Sequence, residues 1–187
     1  MKHTATMALM LTLGVASLYA QQLPVKMRFS GSGGPSLVNL GQPNSVNFEE
    51  NVSGDGALGL FTYHDLRAAA LPPLMNTNGC SLYLPPVFGG GIFRFQDGSL
   101  LTFKIRPNQG GDCVNPPTVT CTLILEITGG TGRFQNASGV LTYIELSVPV
   151  PGLADAMGHP FLTTDTGEIT GVISLPAGQE GLPAAAQ

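Results

Sequence analysis

The chain has 187 residues, 43% of them hydrophobic and 11% charged, with 25 glycines, 15 prolines and a formal charge of −4 at pH 7. That length fits one domain with a core of its own, and the hydrophobic content at modest net charge excludes a disordered chain. With only 8 Lys and Arg against 12 Asp and Glu, the basic footprint needed for nucleic acid or anionic lipid is missing.

In chain order, Lys2 and the apolar run over residues 7–18 read as an export signal, with cleavage expected after Ala20. The run is far short of the roughly 20 apolar residues a membrane helix needs, so no membrane span is expected. The reading is a secreted protein, extracellular or periplasmic, with 1–20 as signal peptide, 21–175 as one domain and 176–187 as a disordered tail of Ala, Gly and Pro.

Strands are expected over 25–30, 46–52, 58–65, 81–84, 91–96, 99–106, 119–127, 140–148 and 168–175. Alternation is clearest where Leu101, Phe103 and Ile105 oppose Thr102, Lys104 and Arg106, and where Val119, Cys121, Leu123, Leu125 and Ile127 oppose Thr120, Thr122 and Glu126. Asp97-Gly98 between two such runs signals a hairpin. Residues 66–74 hint at a helical turn ended by Pro72-Pro73. So many strands in one domain favour a closed barrel, which leaves no unpaired edge. Arg94-Phe95-Gln96 and Arg133-Phe134-Gln135 each precede a turn and a further strand, a weak internal echo.

Of the three cysteines, Cys113 and Cys121 flank Asn115-Pro116-Pro117 and are the expected disulfide. Cys80 is then free, buried or bonded elsewhere, and a bond from Cys80 to either of the others stays open. No Cys-x-x-Cys spacing and no His/Cys/carboxylate cluster occurs in the sequence, so no metal site and no cofactor are expected.

The segment Gly129-Gly130-Thr131-Gly132-Arg133-Phe134-Gln135-Asn136-Ala137-Ser138-Gly139 lies between two strands, and Gly167-Glu168-Ile169-Thr170-Gly171-Val172-Ile173 follows. It lacks the Lys-Ser/Thr ending of a phosphate loop and a strand follows it, so it reads as a structural turn. It resembles the Gly-Thr-Gly-(basic)-Phe-x-x-Ala-x-Gly element of the allene oxide cyclase and dirigent-like barrels. That resemblance implies an all-β, closed antiparallel eight-stranded (calycin-like) barrel with an apolar cavity, often assembled as a trimer. It also implies a lipophilic small molecule as partner, with cofactor-free cyclase or isomerase chemistry. No catalytic position of either family can be placed on this chain, and none is carried over.

Other chemistries find little support. There is no Gly-x-Ser-x-Gly elbow for a serine hydrolase. His64 adjoins Asp65, but strand neighbours point to opposite faces, so His64 reads as an ordinary strand-end residue. His159, before Pro160, reads as a loop residue. Asn51-Val52-Ser53 and Asn136-Ala137-Ser138 match glycosylation acceptors. The site candidates are polar residues inside apolar strands: Glu145 and Arg94 as catalytic groups, Tyr63 and Tyr143 as substrate contacts. Facing a cavity, they would have shifted pKa values suited to acid–base work; the ordinary alternative puts Tyr143, Glu145 and Arg94 on the wet outside of the barrel. The rival to a ligand-binding barrel is a non-catalytic secreted structural or surface protein. Cavity size separates the two, because a barrel filled by its own side chains has no room for a substrate.

Overall fold

A computed structural model describes residues 20–154 and 160–176. Residues 1–19, 155–159 and 177–187 lie outside the described residues, and with them His159 and all but Ala20 and Pro176 of the proposed signal and tail.

Ten antiparallel strands form one sheet. They are β1 (Gln21–Pro35), β2 (Ser45–Gly56), β3 (Phe61–Ala70), β4 (Leu74–Thr77), β5 (Cys80–Leu84), β6 (Pro86–Phe95), β7 (Leu100–Asn115), β8 (Thr118–Gly130), β9 (Ser138–Pro149) and β10 (Thr163–Leu175). Eight of them close on themselves in the order β7-β6-β3-β2-β1-β10-β9-β8, with β8 pairing back to β7. The protein is therefore a closed antiparallel barrel, as the strand count favours, with the eight strands that the resemblance implies. The short β4–β5 hairpin hangs on β7 outside the closure. Among the described residues no helix is long and apolar enough to cross a membrane.

Period-two side-chain alternation decides what fills the barrel. On β9, Leu141, Tyr143, Glu145 and Ser147 point in, while Val140, Ile144, Leu146 and Val148 point out. Met27 and Phe29 on β1, Phe93 and Phe95 on β6, Leu123 and Leu125 on β8, and Ile169 and Ile173 on β10 complete one continuous core. Burying each such side chain contributes about 1.5–3 kcal/mol.

The glycine element closes one end. After β8, Gly132–Phe134 makes a single 3-10 turn that drops Phe134, fully buried, onto Phe95 with ring centroids 4.7 Å apart. Gly132 has φ of 58°, and a Cβ there would lie 2.5 Å from the Ser99 hydroxyl, so only glycine fits. Arg133 stacks over the Phe134 and Phe95 rings at 4.6 and 4.9 Å, donates to the Leu58 carbonyl at 2.6 Å and sits 3.0 Å from Asp97. Phe95 ends a strand while Phe134 sits in a 3-10 turn. The two Arg-Phe-Gln segments thus share a destination for their rings and differ in backbone.

Two expectations need correction. Residues 66–70 are not helical: they finish β3, held on one side by β2 and on the other by β6, and two-sided pairing overrides the helix preference of Leu66-Arg67-Ala68-Ala69-Ala70. The disulfide joins Cys113 to Cys80, at a Cα separation of 5.2 Å, and not to Cys121. Register explains this. Cys121 lies opposite Asp112 and Cys113 lies opposite Thr120, so the two thiols point to opposite faces of the wall. Cys121 is free and buried inside the barrel, while Cys113 faces the β4–β5 hairpin that carries Cys80.

Candidate functional site

At the end of the barrel opposite Phe134, the inward positions change from hydrocarbon to ionisable groups. Glu50, Asp65, Arg67, Asp112, Glu145, Ser147 and Asp165 are all buried. Strand register assembles them. Glu50 on β2 is the direct partner of Asp65 on β3, with Arg67 one inward position farther along β3. Glu145 on β9 faces Cys121 on β8, which faces Asp112 on β7, and Ser147 is the direct partner of Asp165 on β10.

Glycine makes the room. Gly33 pairs with Glu50, Gly31 with Asp165, Gly167 with Glu145, Gly91 with Asp65 and Gly89 with Arg67. A Cβ at Gly33 would lie 3.0 Å from the Asp165 Oδ2, and one at Gly167 would lie 2.5 Å from the Phe29 ring. The missing side chains thus admit large polar groups and the rings beneath them.

Four of those rings form a floor. Phe29 stacks on Tyr143 at 4.7 Å, Tyr143 on Tyr63 at 5.4 Å, and Tyr63 on Phe103 at 5.3 Å. Their hydroxyls rise into the polar layer. Tyr63 donates to Asp65 Oδ2 at 2.8 Å. The Tyr143 hydroxyl contacts both Glu50 Oε1 and Glu145 Oε2, the latter at 3.0 Å, and the Ser147 hydroxyl donates to Glu145 Oε1. A phenol has one proton and can donate to only one carboxylate at a time. The other contact is favourable when that carboxyl carries a proton and donates to the phenol oxygen.

Arg67 is the cation of the cluster. Its Nη1 donates to Glu50 Oε2 at 2.9 Å and lies 3.4 Å from both Asp65 oxygens. Its Nη2 is 3.6 Å from Asp112 Oδ1, an ion pair too long to be a hydrogen bond. One guanidinium thus serves three carboxylates, and Glu145 and Asp165 have no cationic partner among the described residues.

Burial pushes the Glu50 carboxyl well above its ordinary value; Arg67 opposes this, and Glu145 and Asp65 reinforce it. Burial likewise raises Asp65 against the pull of Arg67. Asp165 is pushed up to about 6 by burial and by the neighbouring Glu145 charge. Burial, then the adjacent carboxylates, hold both tyrosines well above the usual phenol range. Burial pushes the Cys121 thiol well up, so it is a protonated, unreactive group.

Of the residues singled out in the sequence, the structure brings Tyr63, Tyr143 and Glu145 together inside the barrel. Arg94 does not join them. It points outward from β6, exposed, between Phe93 and Phe95, which point in. The arginine in contact with the acids is Arg67, and Glu50, Asp65, Asp112 and Asp165 were missed with it. Inward-phase glycines at 31 and 33, 89 and 91, and 167 were the available signal. His64 faces out and bonds Glu49 at 3.0 Å, away from Asp65.

No protein-family model and no curated protein matches the chain. Among solved structures it is similar to the pterocarpan synthase dirigent protein GePTS1, with 13% identity over 84% of this chain and 87% of that one, at a TM-score of 0.45.

Proposed function

We propose that the protein is an exported barrel whose polar end receives a small, largely apolar molecule bearing an oxygen function, and that it isomerises or cyclises this molecule without a cofactor. The observation that carries the reading is the Glu50–Tyr143–Glu145–Ser147 chain, built directly on the aromatic floor. Such a chain can donate a proton to a substrate oxygen at one carboxyl and accept one at the other, while stacked rings hold the apolar body in a reactive shape. Glu50 and Glu145 are the acid–base pair, Tyr143 relays between them, and Tyr63 contacts the substrate. A buried, acid-rich layer is costly to a fold that needs only stability, which favours a working site over scaffolding.

Export is supported by the apolar N-terminal run and is compatible with the Cys80–Cys113 disulfide. Self-association as a trimer draws support from Ile144, Leu146, Val148 and Val172, apolar and exposed on the outer wall of β9 and β10.

A second reading, a non-catalytic structural or surface protein, is favoured by the packing of the other end. Phe93, Leu101, Leu125, Phe134 and Ile173 are fully buried there, and open concavities of about 580 and 340 Å³ lie along the barrel wall, the larger between β1, β2 and the start of β3. Native mass spectrometry of protein from its own host, followed by organic extraction, separates the two. A retained small molecule, lost in Glu145→Gln and Tyr143→Phe, is the expected result. An empty protein that also takes up no apolar probe overturns the catalytic reading in favour of the structural one.

A further inference from the structure

We propose that Glu50, Glu145 and Asp165 together bind one hard divalent cation, with Ca²⁺ the best fit to the donor set. The three come from β2, β9 and β10, and each offers a carboxylate oxygen such that all three atoms lie within 4.8 Å of one another. A cation bonded to oxygens at roughly 2.3–2.6 Å spans ligands at that spacing, whereas the roughly 2.0–2.1 Å bonds of Mg²⁺ require a tighter, near-octahedral cage. An all-oxygen, all-carboxylate set selects Ca²⁺, Mg²⁺ or Mn²⁺ over metals that prefer nitrogen or sulfur. The hydroxyls of Ser147 and Tyr143, both on Glu145, stand beside the site.

Asp165 is the observation that points to a ligand. It is 1% exposed, yet neither carboxylate oxygen accepts a hydrogen bond from any described residue. The hydroxyls nearest to it by register give their protons elsewhere: Ser147 to Glu145, and Thr163 to the Gly33 carbonyl. A buried carboxylate with both oxygens orphaned is rare and expensive, because desolvation is left without compensation. Gly33 keeps the space in front of it open, since a Cβ there would crowd Asp165 Oδ2 at 3.0 Å and Glu50 Cγ at 3.5 Å. Arg67 does not serve instead: its Nη atoms lie against Glu50, Asp65 and Asp112, and no ion pair joins it to Asp165. A cation at the three carboxylates would supply the missing positive charge on the Glu145–Asp165 side.

This goes beyond the small-molecule reading: a carboxylate bonded to a cation cannot also carry the catalytic proton, so the cation belongs to the substrate-free protein, and its test needs no substrate. The chain has four tyrosines and no tryptophan, so tyrosine-sensitised Tb³⁺ luminescence reports a lanthanide held near Tyr143. The mature protein, stripped with a chelator, is titrated with Tb³⁺ and then competed with Ca²⁺. The expected result is saturation at one Tb³⁺ per chain, reversal by Ca²⁺, and at least a tenfold loss of affinity in Asp165→Asn. The same variant should melt no lower than wild type in chelator, because it removes a charge that nothing else compensates. Absence of saturable emission, or wild-type affinity in Asp165→Asn, overturns the proposal. Equilibrium dialysis of wild type against Ca²⁺ needs no variant: one bound Ca²⁺ per chain upholds the site, and none removes it.

Discussion

The two ends of the barrel are made by the same strands in the same inward phase, yet they are filled by opposite chemistries. Along β9 the inward residues run Leu141, Tyr143, Glu145, Ser147; along β3 they run Phe61, Tyr63, Asp65, Arg67. On β10 Ile173 and Ile169 give way to Asp165, and on β2 Val52 gives way to Glu50. Most strands sort apolar from polar across their two faces; these sort them along their length as well. The tyrosines mark the boundary, with rings in the stack and hydroxyls among the acids. The comparison teaches that one end carries the stability and the other spends some of it on organised charge.

The largest effect is expected at the apolar end. Phe134→Ala removes the ring that closes the barrel against Phe95 and leaves a cavity, at a cost of about 3–5 kcal/mol. Denaturant titration should show a lower midpoint with an unchanged slope. A cost under about 1 kcal/mol would mean that this end is not sealed by the glycine element.

At the polar end, Arg67→Ala takes away the one cation shared by Glu50, Asp65 and Asp112. Removing one partner of a buried ion cluster costs about 3–5 kcal/mol, because uncompensated charge stays behind. Measured in chelator, so that no metal ion substitutes for the guanidinium, Arg67→Ala should unfold far more easily than wild type. Adding Glu50→Gln should restore part of the loss. At the apolar end no second substitution of this electrostatic kind can rescue Phe134→Ala, and that is the sharpest contrast between the two ends. Failure of Glu50→Gln to help would show that Arg67 acts by packing and not by charge.

Outside the barrel the expected effects are smaller. The Cys80–Cys113 bond closes a sequence separation of 33 residues, and replacing both cysteines by serine should cost about 2–4 kcal/mol. Hydrogen exchange should show the loss concentrated in β4 and β5, with the amides of β8 and β9 still protected. Cys121 behaves differently from both: its buried, protonated thiol should resist thiol reagents in the native protein and react once the chain is unfolded.

Much of the fold was legible because alternation is a local signal. The inward phase of β9, with Tyr143 and Glu145 on one side and Ile144 and Leu146 on the other, can be read from the residues in order. The site was legible only in part, because it depends on register, and register is set by pairing between strands far apart in sequence. Glu50 sits in the pair Glu49-Glu50, and nothing local says which of the two points in. Arg67 was hidden in an alanine-rich stretch with helical character that only its flanking strands force to extend. The cysteine pairing failed for the same reason: a loop suggested Cys113 with Cys121, while a one-residue offset in register turned their thiols apart.

The smallest effect belongs to Arg94, and it tests the comparison from outside. Arg94 looked like a site residue because it interrupts Ile92-Phe93-Arg94-Phe95, but it projects from the outer wall between inward rings, with Thr62 and Leu100 as its cross-strand partners. An exposed strand charge with no ion-pair partner among the described residues contributes little, so Arg94→Ala should change stability by no more than about 0.5 kcal/mol. It should also leave ligand retention and Tb³⁺ binding where wild type has them. Arg67 and Arg94 therefore form a matched pair, one arginine inside the wall and one outside it. If Arg94→Ala proved as damaging as Arg67→Ala, the outer wall of β6 would have to be covered in solution, and the inside–outside division on which the site rests would fail at that strand.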